Sequence, residues 1–345
     1  MHSRKRVLVT GGAGYVGSHC CKAFAREGWE VVVFDNLSRG WADFVRWGPL
    51  IVGDILDGDA LRKAMDDVRP SAVAHFAALA YVGESVAQPD IYYRTNVLGT
   101  LNVLDAMRHA SVENLLFSST CATYGTPARV PVDETHPQAP INPYGHSKLM
   151  AEQVIRDVSG AYGLRHVLLR YFNAAGADVD GEVGERQDPA VRAIQLAVRS
   201  AQVGSVFQVY GDDFDTRDGT AVRDYVHVSD LAEAHAKALD YLLAGGASEV
   251  LNLGTGVGVT VREIVDAVEA VAGRPIAWEM APRREGDPAC LVAACEKAAA
   301  VLGWTAKQSG LDEIVRSAWA WQKADRERND RQARTAVDLR PAATS

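Results

Sequence analysis

Cysteine is scarce in this sequence, with five residues in 345: Cys20, Cys21, Cys121, Cys290 and Cys295. They show no CxxC spacing and no even set, so neither a disulfide framework nor a metal site is expected, and reduced thiols in a reducing compartment follow. Long apolar runs are missing as well. The basic start MHSRKR leads into a short apolar stretch that breaks at TGGAG, which reads as a strand and a turn rather than a signal peptide. No stretch is long enough to cross a bilayer, so no membrane partner and a cytoplasmic location are expected. There is no basic excess either: 36 Lys and Arg stand against 44 Asp and Glu, a net charge of −8. That balance argues against a nucleic-acid partner and requires any phosphate site to be built locally. No internal repeat is present. What remains is an ordinary globular composition, 48% hydrophobic and 23% charged, in a chain long enough for a large domain with a smaller companion.

The first half alternates short apolar runs with helical patterns. Strands are predicted at VLVT from Val7, VVVF from Val31, LIVG from Leu50, AVAHF from Ala72, LLFSS from Leu115 and HVLLRYF from His166. Helical patterns follow Gly14 and run from about Pro89 to His109 and from about Tyr144 to Gly160. Strands separated by helices imply right-handed crossovers and a parallel sheet covered on both faces, a doubly wound α/β fold. Near Ala174 the pattern changes. GADVDGEVGERQDP is broken by Gly, Asp and Pro, and GDDFDTRDGTAVRD reads as a long functional loop. VHVSDLAEAHAKALDYLL is helical, and VLNLGTG from Val250 reads as a strand that returns to the sheet. The predicted division is a sheet domain of residues 1–175, rejoined by 225–255, and a smaller C-terminal α/β substrate lobe of residues 176–224 and 256–325. A frayed tail is expected over 326–345, where charge is dense and large apolar residues are few.

Gly11, Gly14 and Gly17 form a G-x-x-G-x-x-G run directly after the first strand and opening the first helix. The first glycine suits a tight turn, the second lets a pyrophosphate approach the backbone, and the third lets helix and strand pack closely. The helix N-terminus offers N–H donors and a positive dipole end to phosphates. Asp35 closes the second strand, where its carboxylate accepts hydrogen bonds from ribose hydroxyls and repels a 2′-phosphate, favouring NAD over NADP. Arg39 is the competing feature, either a binder of that phosphate or a solvated loop residue. Asp54, after the third strand, stands open between an adenine contact and a strand-end turn.

Tyr144 and Lys148 lie four apart in YGHSK and so share a face of a helix. A neighbouring ammonium favours the phenolate, which is expected to lower the tyrosine from its usual pKa of about 10 and make it a base near neutral pH. Thr120 lies at the carboxyl end of the fifth strand, where open α/β sheets bind ligands.

Taken together, TGGAGYVGS, Asp35, FSSTCATYG, YGHSK and RYFNAAGA resemble the extended short-chain dehydrogenase/reductases. Within them, VGES, NPYG, VRDYVHV, LNLGTG and APRREGD resemble the UDP-glucose 4-epimerase group, over about Val7 to Gln322. The resemblance implies a Rossmann sheet, tightly bound NAD, and inversion of C4 of a UDP-linked sugar through a 4-keto intermediate. It implies that Tyr144 takes the proton of the sugar 4-hydroxyl, that Thr120 hydrogen-bonds the same oxygen, and that Lys148 holds the nicotinamide ribose. Around the cofactor it places Tyr15, Val16, Asn36, Ile55, Phe76, Ala77, Ala78, Asn96, Ser118 and Tyr171 beside Gly11, Gly14, Gly17, Asp35, Asp54, Tyr144 and Lys148. Around the nucleotide-sugar it places Asn173, Arg223, Arg284 and Asp287 with Thr120 and Tyr144, while Arg283 reads as a salt-bridge residue. Arginine suits a diphosphate because its planar fork donates two parallel hydrogen bonds. A homodimer through the 89–109 and 144–160 helices is also implied.

Related 4,6-dehydratases carry an Asp-Glu pair directly after this threonine, and UDP-glucuronate decarboxylases carry a glutamate two places on. Cys121 and Ala122 stand there instead, so simple 4-epimerisation is expected over elimination or decarboxylation. The presence of Thr120, Tyr144 and Lys148 speaks against a non-catalytic sensor of nucleotide-sugars. Three departures from the group are visible: Ala80 in place of a usual lysine, Leu291 in place of a bulky tyrosine found in some relatives, and Arg192 with Gln195 in DPAVRAIQL. An arginine added beside two diphosphate arginines suggests a third anion. On this reading the favoured substrate is UDP-glucuronic acid, converted to UDP-galacturonic acid, with Arg192 holding the C6 carboxylate. The alternative is UDP-glucose, with Arg192 on the diphosphate or in solvent.

Overall fold

The computed structural model describes residues 5–186, 190–284 and 287–338. The chain opens with β1 (Arg6–Thr10), α1 (Tyr15–Arg26), β2 (Glu30–Asp35), β3 (Leu50–Val52), α2 (Gly58–Val68) and β4 (Ala72–His75). Next come α3 (Val82–Ala87), α4 (Pro89–Tyr92), α5 (Gly99–His109), β5 (Asn114–Thr120), α6 (Pro143–Tyr162) and β6 (Arg165–Tyr171). They are followed by β7 (Asn173–Ala175), α7 (Ala193–Val203), β8 (Phe207–Tyr210), β9 (Val222–His227), α8 (Val228–Leu243) and β10 (Glu249–Leu253). The remainder comprises β11 (Gly258–Thr260), α9 (Val261–Ala272), β12 (Trp278–Ala281), β13 (Cys290–Leu291), α10 (Glu296–Leu302) and α11 (Leu311–Asp338).

Seven parallel strands form the main sheet in the order β10-β6-β5-β4-β1-β2-β3. Their near-continuous apolar runs follow from burial on both faces. Val7, Val9 and Leu251 face one core with Phe24 of α1 and Leu239 of α8. Leu8, Val73 and Leu115 face the other with Leu61 and Met65 of α2 and Ile155 of α6. The strand order reverses between β1 and β4, so Thr10 and His75 at their carboxyl ends border the crevice where such sheets bind ligands.

A smaller sheet is built on β9, which pairs with β7, β11 and β13, while β8 pairs with β12. Its core joins Ile194 of α7, Ile264 of α9 and Ile314 of α11. The loop expected to run through Val222–Asp224 ends earlier, because those residues open strand β9. The single helix expected over 89–109 is also not continuous. The helix is interrupted at Tyr93–Leu98 by a wider π turn, which holds Asn96. Fraying from residue 326 is corrected too: α11 runs on to Asp338, because its Arg, Glu, Gln and Ala residues are good helix formers and Trp321 and Asp325 anchor its body. The last seven residues of the expected tail, 339–345, lie outside the described residues. Among the described residues no helix is long and apolar enough to cross a membrane.

Candidate active site at the strand-order switch

Gly11 adopts φ +75°, and a Cβ on it would fall 2.4 Å from the Ala77 amide nitrogen. A Cβ on Gly17 would meet the Gly11 carbonyl oxygen at 2.2 Å. The chain's own packing therefore demands both glycines. Gly14 is different, since the nearest atom to its Cβ would be the same oxygen at 3.3 Å. Gly14 is the N-cap of α1, and no side chain caps the helix there. The first-turn amides of Tyr15 and Val16 are thus left for an anion. Asp35 Oδ2 accepts from the Ala13 N–H at 3.0 Å and Oδ1 from the Leu37 N–H at 2.8 Å, tying the glycine turn to the end of β2. Burial pushes the Asp35 carboxyl up, and these two N–H groups act against it.

Arg39 has its charge matched already: it pairs with Glu84 at 2.5 Å and lies 5.3 Å from the Tyr81 ring centre. Asp54 closes a turn, accepting from the Leu56 N–H at 2.8 Å and from the Asn36 side chain at 2.9 Å. Ile55 is buried beneath α5, where a Cβ on Gly99 would meet its Cδ1 at 2.4 Å. A cavity above the glycine turn is lined by Gly11, Gly14, Tyr15, Val16, Gly17, Phe76, Ala78, Ser118 and Tyr171, and also by Ala80. Ser118 and Tyr171 share a hydrogen bond between their hydroxyls at 2.7 Å. Ala77 sits at the turn itself, its N–H donating to the Thr10 carbonyl.

Tyr144 and Lys148 project from the first turns of α6. Asn142 caps that helix by accepting from the Gly145 N–H at 2.9 Å, with Pro143 in the first turn. Asn96 braces the same helix from the π turn. Its Oδ1 accepts from the Leu79 N–H, and its Nδ2 donates to the Leu79 carbonyl and to Ser147 Oγ, which in turn donates to the Tyr144 carbonyl. Thr120 closes β5, buried, with Oγ1 accepting from the Ala122 N–H at 3.1 Å. That leaves its hydroxyl proton to donate, and the hydroxyl lies close enough to Tyr144 to favour the phenolate.

The expectation that Lys148 lowers the Tyr144 pKa is corrected. Burial dominates and pushes the Tyr144 hydroxyl well up, Tyr171 adds to the rise, and Thr120 acts against it. Burial also draws Lys148 down to about 7, opposed by Glu152, with Nζ 4.2 Å from the Phe117 ring centre. The physical reason is shared: a dry site penalises the charged form of both groups, so the lysine is not a full, fixed positive charge.

Sequence reasoning missed Glu152, one turn beyond Lys148 and fully buried. Its carboxylate accepts from Arg170 Nε at 2.9 Å and Nη2 at 2.6 Å, from Ser119 Oγ at 2.5 Å and from Arg156 Nη2 at 2.7 Å. Arg170 also donates to the Tyr124 hydroxyl at 3.0 Å, which donates to Asn252 Oδ1 at 2.7 Å. The available signal was the spacing Tyr144, Lys148, Glu152 along one helix face, since a carboxylate on a core-facing position needs a partner.

On the side of the smaller sheet, Arg223, Arg284 and Asp287 are neighbours. Arg223 donates to the Val222 and Pro288 carbonyls at 2.8 and 2.7 Å and to Asp287 at 3.1 Å. Arg284 lies 3.8 Å from the Tyr210 ring centre, and its carbonyl accepts from the Asp287 N–H at 3.3 Å. Asn173 pairs in register with Tyr225, two residues along from Arg223. Arg283 pairs with Asp213. Cys121, Phe172 and Leu291 share a buried cluster beside Thr120. Arg192 lies elsewhere. It borders the glycine-turn cavity, paired with Glu185 at 2.5 Å and 5.2 Å from the Tyr15 ring centre.

Comparison with known proteins bears on all of this. Residues 7–254 match the model of the family described as "NAD dependent epimerase/dehydratase family". Over 317 residues the chain is 54% identical to a UDP-glucose 4-epimerase of Rhizobium meliloti (strain 1021), covering 91% of this chain and 96% of that protein. The structure of UDP-glucose 4-epimerase from Brucella ovis in complex with NAD superposes with a TM-score of 0.89 at 50% identity, covering 92% and 98% of the two chains. That of the Bifidobacterium longum UDP-glucose 4-epimerase in complex with NAD+ and UDP gives 0.87 at 39% identity, covering 93% and 99%. These relatives overturn the expectation of UDP-glucuronic acid as substrate. Arg192, on which it rested, has its charge met by Glu185 rather than held open for a sugar carboxylate.

Proposed function

Since the chain belongs to the NAD-dependent epimerase/dehydratase family, we propose that it is a UDP-sugar 4-epimerase interconverting UDP-glucose and UDP-galactose. The observation that carries this reading is the meeting of Thr120 and Tyr144, one turn from Lys148, at the carboxyl end of β5 beside the glycine cradle.

Residues 1–175 and 225–255 hold the cofactor, and 176–224 with 256–325 hold the UDP-sugar. The uncapped start of α1 and the open Gly14 fit a pyrophosphate, and Asp35 fits the adenosine ribose. Bound NAD supplies a reversible hydride acceptor and donor at sugar C4. Every other step falls to the chain. Tyr144 takes the proton of the 4-hydroxyl while Thr120 donates a hydrogen bond to the same oxygen. Lys148, drawn down to about 7 by burial, holds the nicotinamide ribose. The 4-keto sugar turns over in the pocket, and Tyr144 returns its proton to the oxygen. Arg223 and Arg284 grip the diphosphate, with Asp287 setting the Arg223 guanidinium. Cys121 and Ala122 supply no acid or base for elimination.

The active form is a homodimer formed through the 89–109 segment and α6, which expose Leu98 of the π turn, Leu101 of α5, and Met150 and Tyr162 of α6. Its five free cysteines suit a reducing compartment, and the cytoplasm is its place of action. The test of the reading is Tyr144→Phe, which keeps the ring and removes the acid–base group. Conversion of UDP-glucose, followed by chromatography, falls by about 10²-fold or more in kcat while the fold persists. Undiminished turnover would refute the assignment of Tyr144.

A further inference from the structure

The cofactor cavity has a second wall that none of the residues above supplies. It consists of Trp41, Phe44 and Arg186, facing the glycine turn. Trp41 and Phe44 lie in the loop between β2 and β3, a few residues after Asp35. Arg186 arrives from the segment between β7 and α7. Its Nε and Nη2 donate to Asp325 of α11 at 3.0 and 2.7 Å, and its Nη1 donates to Asp43 at 2.9 Å. The guanidinium carbon lies 4.7 Å from the Phe44 ring centre and 5.0 Å from that of Trp41. Trp41 Nε1 closes the circuit by donating to the Arg186 carbonyl at 2.9 Å.

We infer that Arg186 is a cofactor-positioning residue: it rivets the Trp41–Phe44 loop to α11 and holds the dinucleotide cleft closed on the side that begins at Asp35. The inference rests on the reading of this cleft as the NAD site. The chemistry suits an arginine, because one planar fork meets two carboxylates while its face lies against aromatic rings, which an ammonium cannot do. Arg186 and Asp325 are largely buried, so parting them exposes two poorly solvated charges and resists opening. None of these contacts reaches Thr120, Tyr144 or Lys148. Loss of the rivet therefore alters cofactor escape before it alters chemistry.

The experiment loads the full-length protein with radiolabelled NAD, removes the excess, and chases with unlabelled NAD while retained label is counted. Arg186→Ala and Asp325→Asn are each expected to release label about tenfold faster than the parent, the factor given by about 1.4 kcal/mol. Asp325→Asn preserves shape and reads the same contact should Arg186→Ala fold poorly. Arg6→Ala serves as the control. It breaks the pair with Glu30 at the amino end of the sheet and is expected to release label at the parental rate. Parental release from Asp325→Asn, or equal acceleration by Arg6→Ala, would overturn the rivet. A parent that retains no label would overturn the NAD reading and the rivet with it. UDP-sugar turnover is not the readout, so a wrong substrate assignment leaves the result standing.

Discussion

Glu152 and Arg170 meet in the core through two hydrogen bonds, at 2.9 and 2.6 Å, with neither side chain more than 2% exposed. The pair joins the helix that carries Tyr144 and Lys148 to the strand that follows it, and Ser119 brings in the strand that ends at Thr120. Removing one partner leaves the other's charge buried and uncompensated. Glu152→Ala is predicted to lower stability by about 3–5 kcal/mol in urea unfolding. A loss below about 1 kcal/mol would mean that Arg170 finds another partner and that the pair is not what fixes α6.

The three glycines of the turn should separate into two classes. Gly17→Ala drives a methyl into the Gly11 carbonyl and is predicted to destabilise the fold by roughly 2 kcal/mol or more. Gly14→Ala meets its nearest atom at 3.3 Å and should fold nearly as well as the parent while binding NAD at least about tenfold more weakly. Thermal unfolding and equilibrium NAD titration of both variants check this. Equal stability losses would show that Gly14 serves packing rather than a ligand.

Those glycines and Asp35 were legible in the sequence because sterics and ribose recognition dictate residue type at fixed spacing, and Tyr144 with Lys148 because helical periodicity puts them on one face. The π turn was not, since Tyr93–Leu98 continues the apolar spacing of an ordinary helix. Arg192 was misread for a different reason. A charged side chain takes whichever partner the tertiary fold brings, and Glu185 lies seven residues earlier in the chain. Arg186 is the extreme case, with partners 139 and 143 residues away. The charged C-terminal stretch shows the reverse error, a polar composition that conceals strong helix propensity.

Acid should unfold the protein through its buried histidines. Burial lowers His75 to about 3 and both His19 and His235 to about 4, and among the described residues Nε2 of His19 and of His235 has no hydrogen-bond partner. Below the ordinary histidine pKa of about 6.5 the unfolded chain gains protons that the folded chain refuses. The stabilising contribution of these neutral rings is complete above that value and is lost as pH falls toward about 4. Unfolding free energies from urea titrations across this window should fall steadily, by several kcal/mol in total. A flat profile would show that the rings protonate in place.

The most direct measurement uses UDP-glucose carrying deuterium at sugar C4, incubated with the purified protein in ordinary water. The account predicts UDP-galactose that retains the deuterium at C4, because the hydrogen leaves and returns without exchange with solvent. UDP-galactose with hydrogen at C4, or UDP-glucose recovered unchanged, would contradict it.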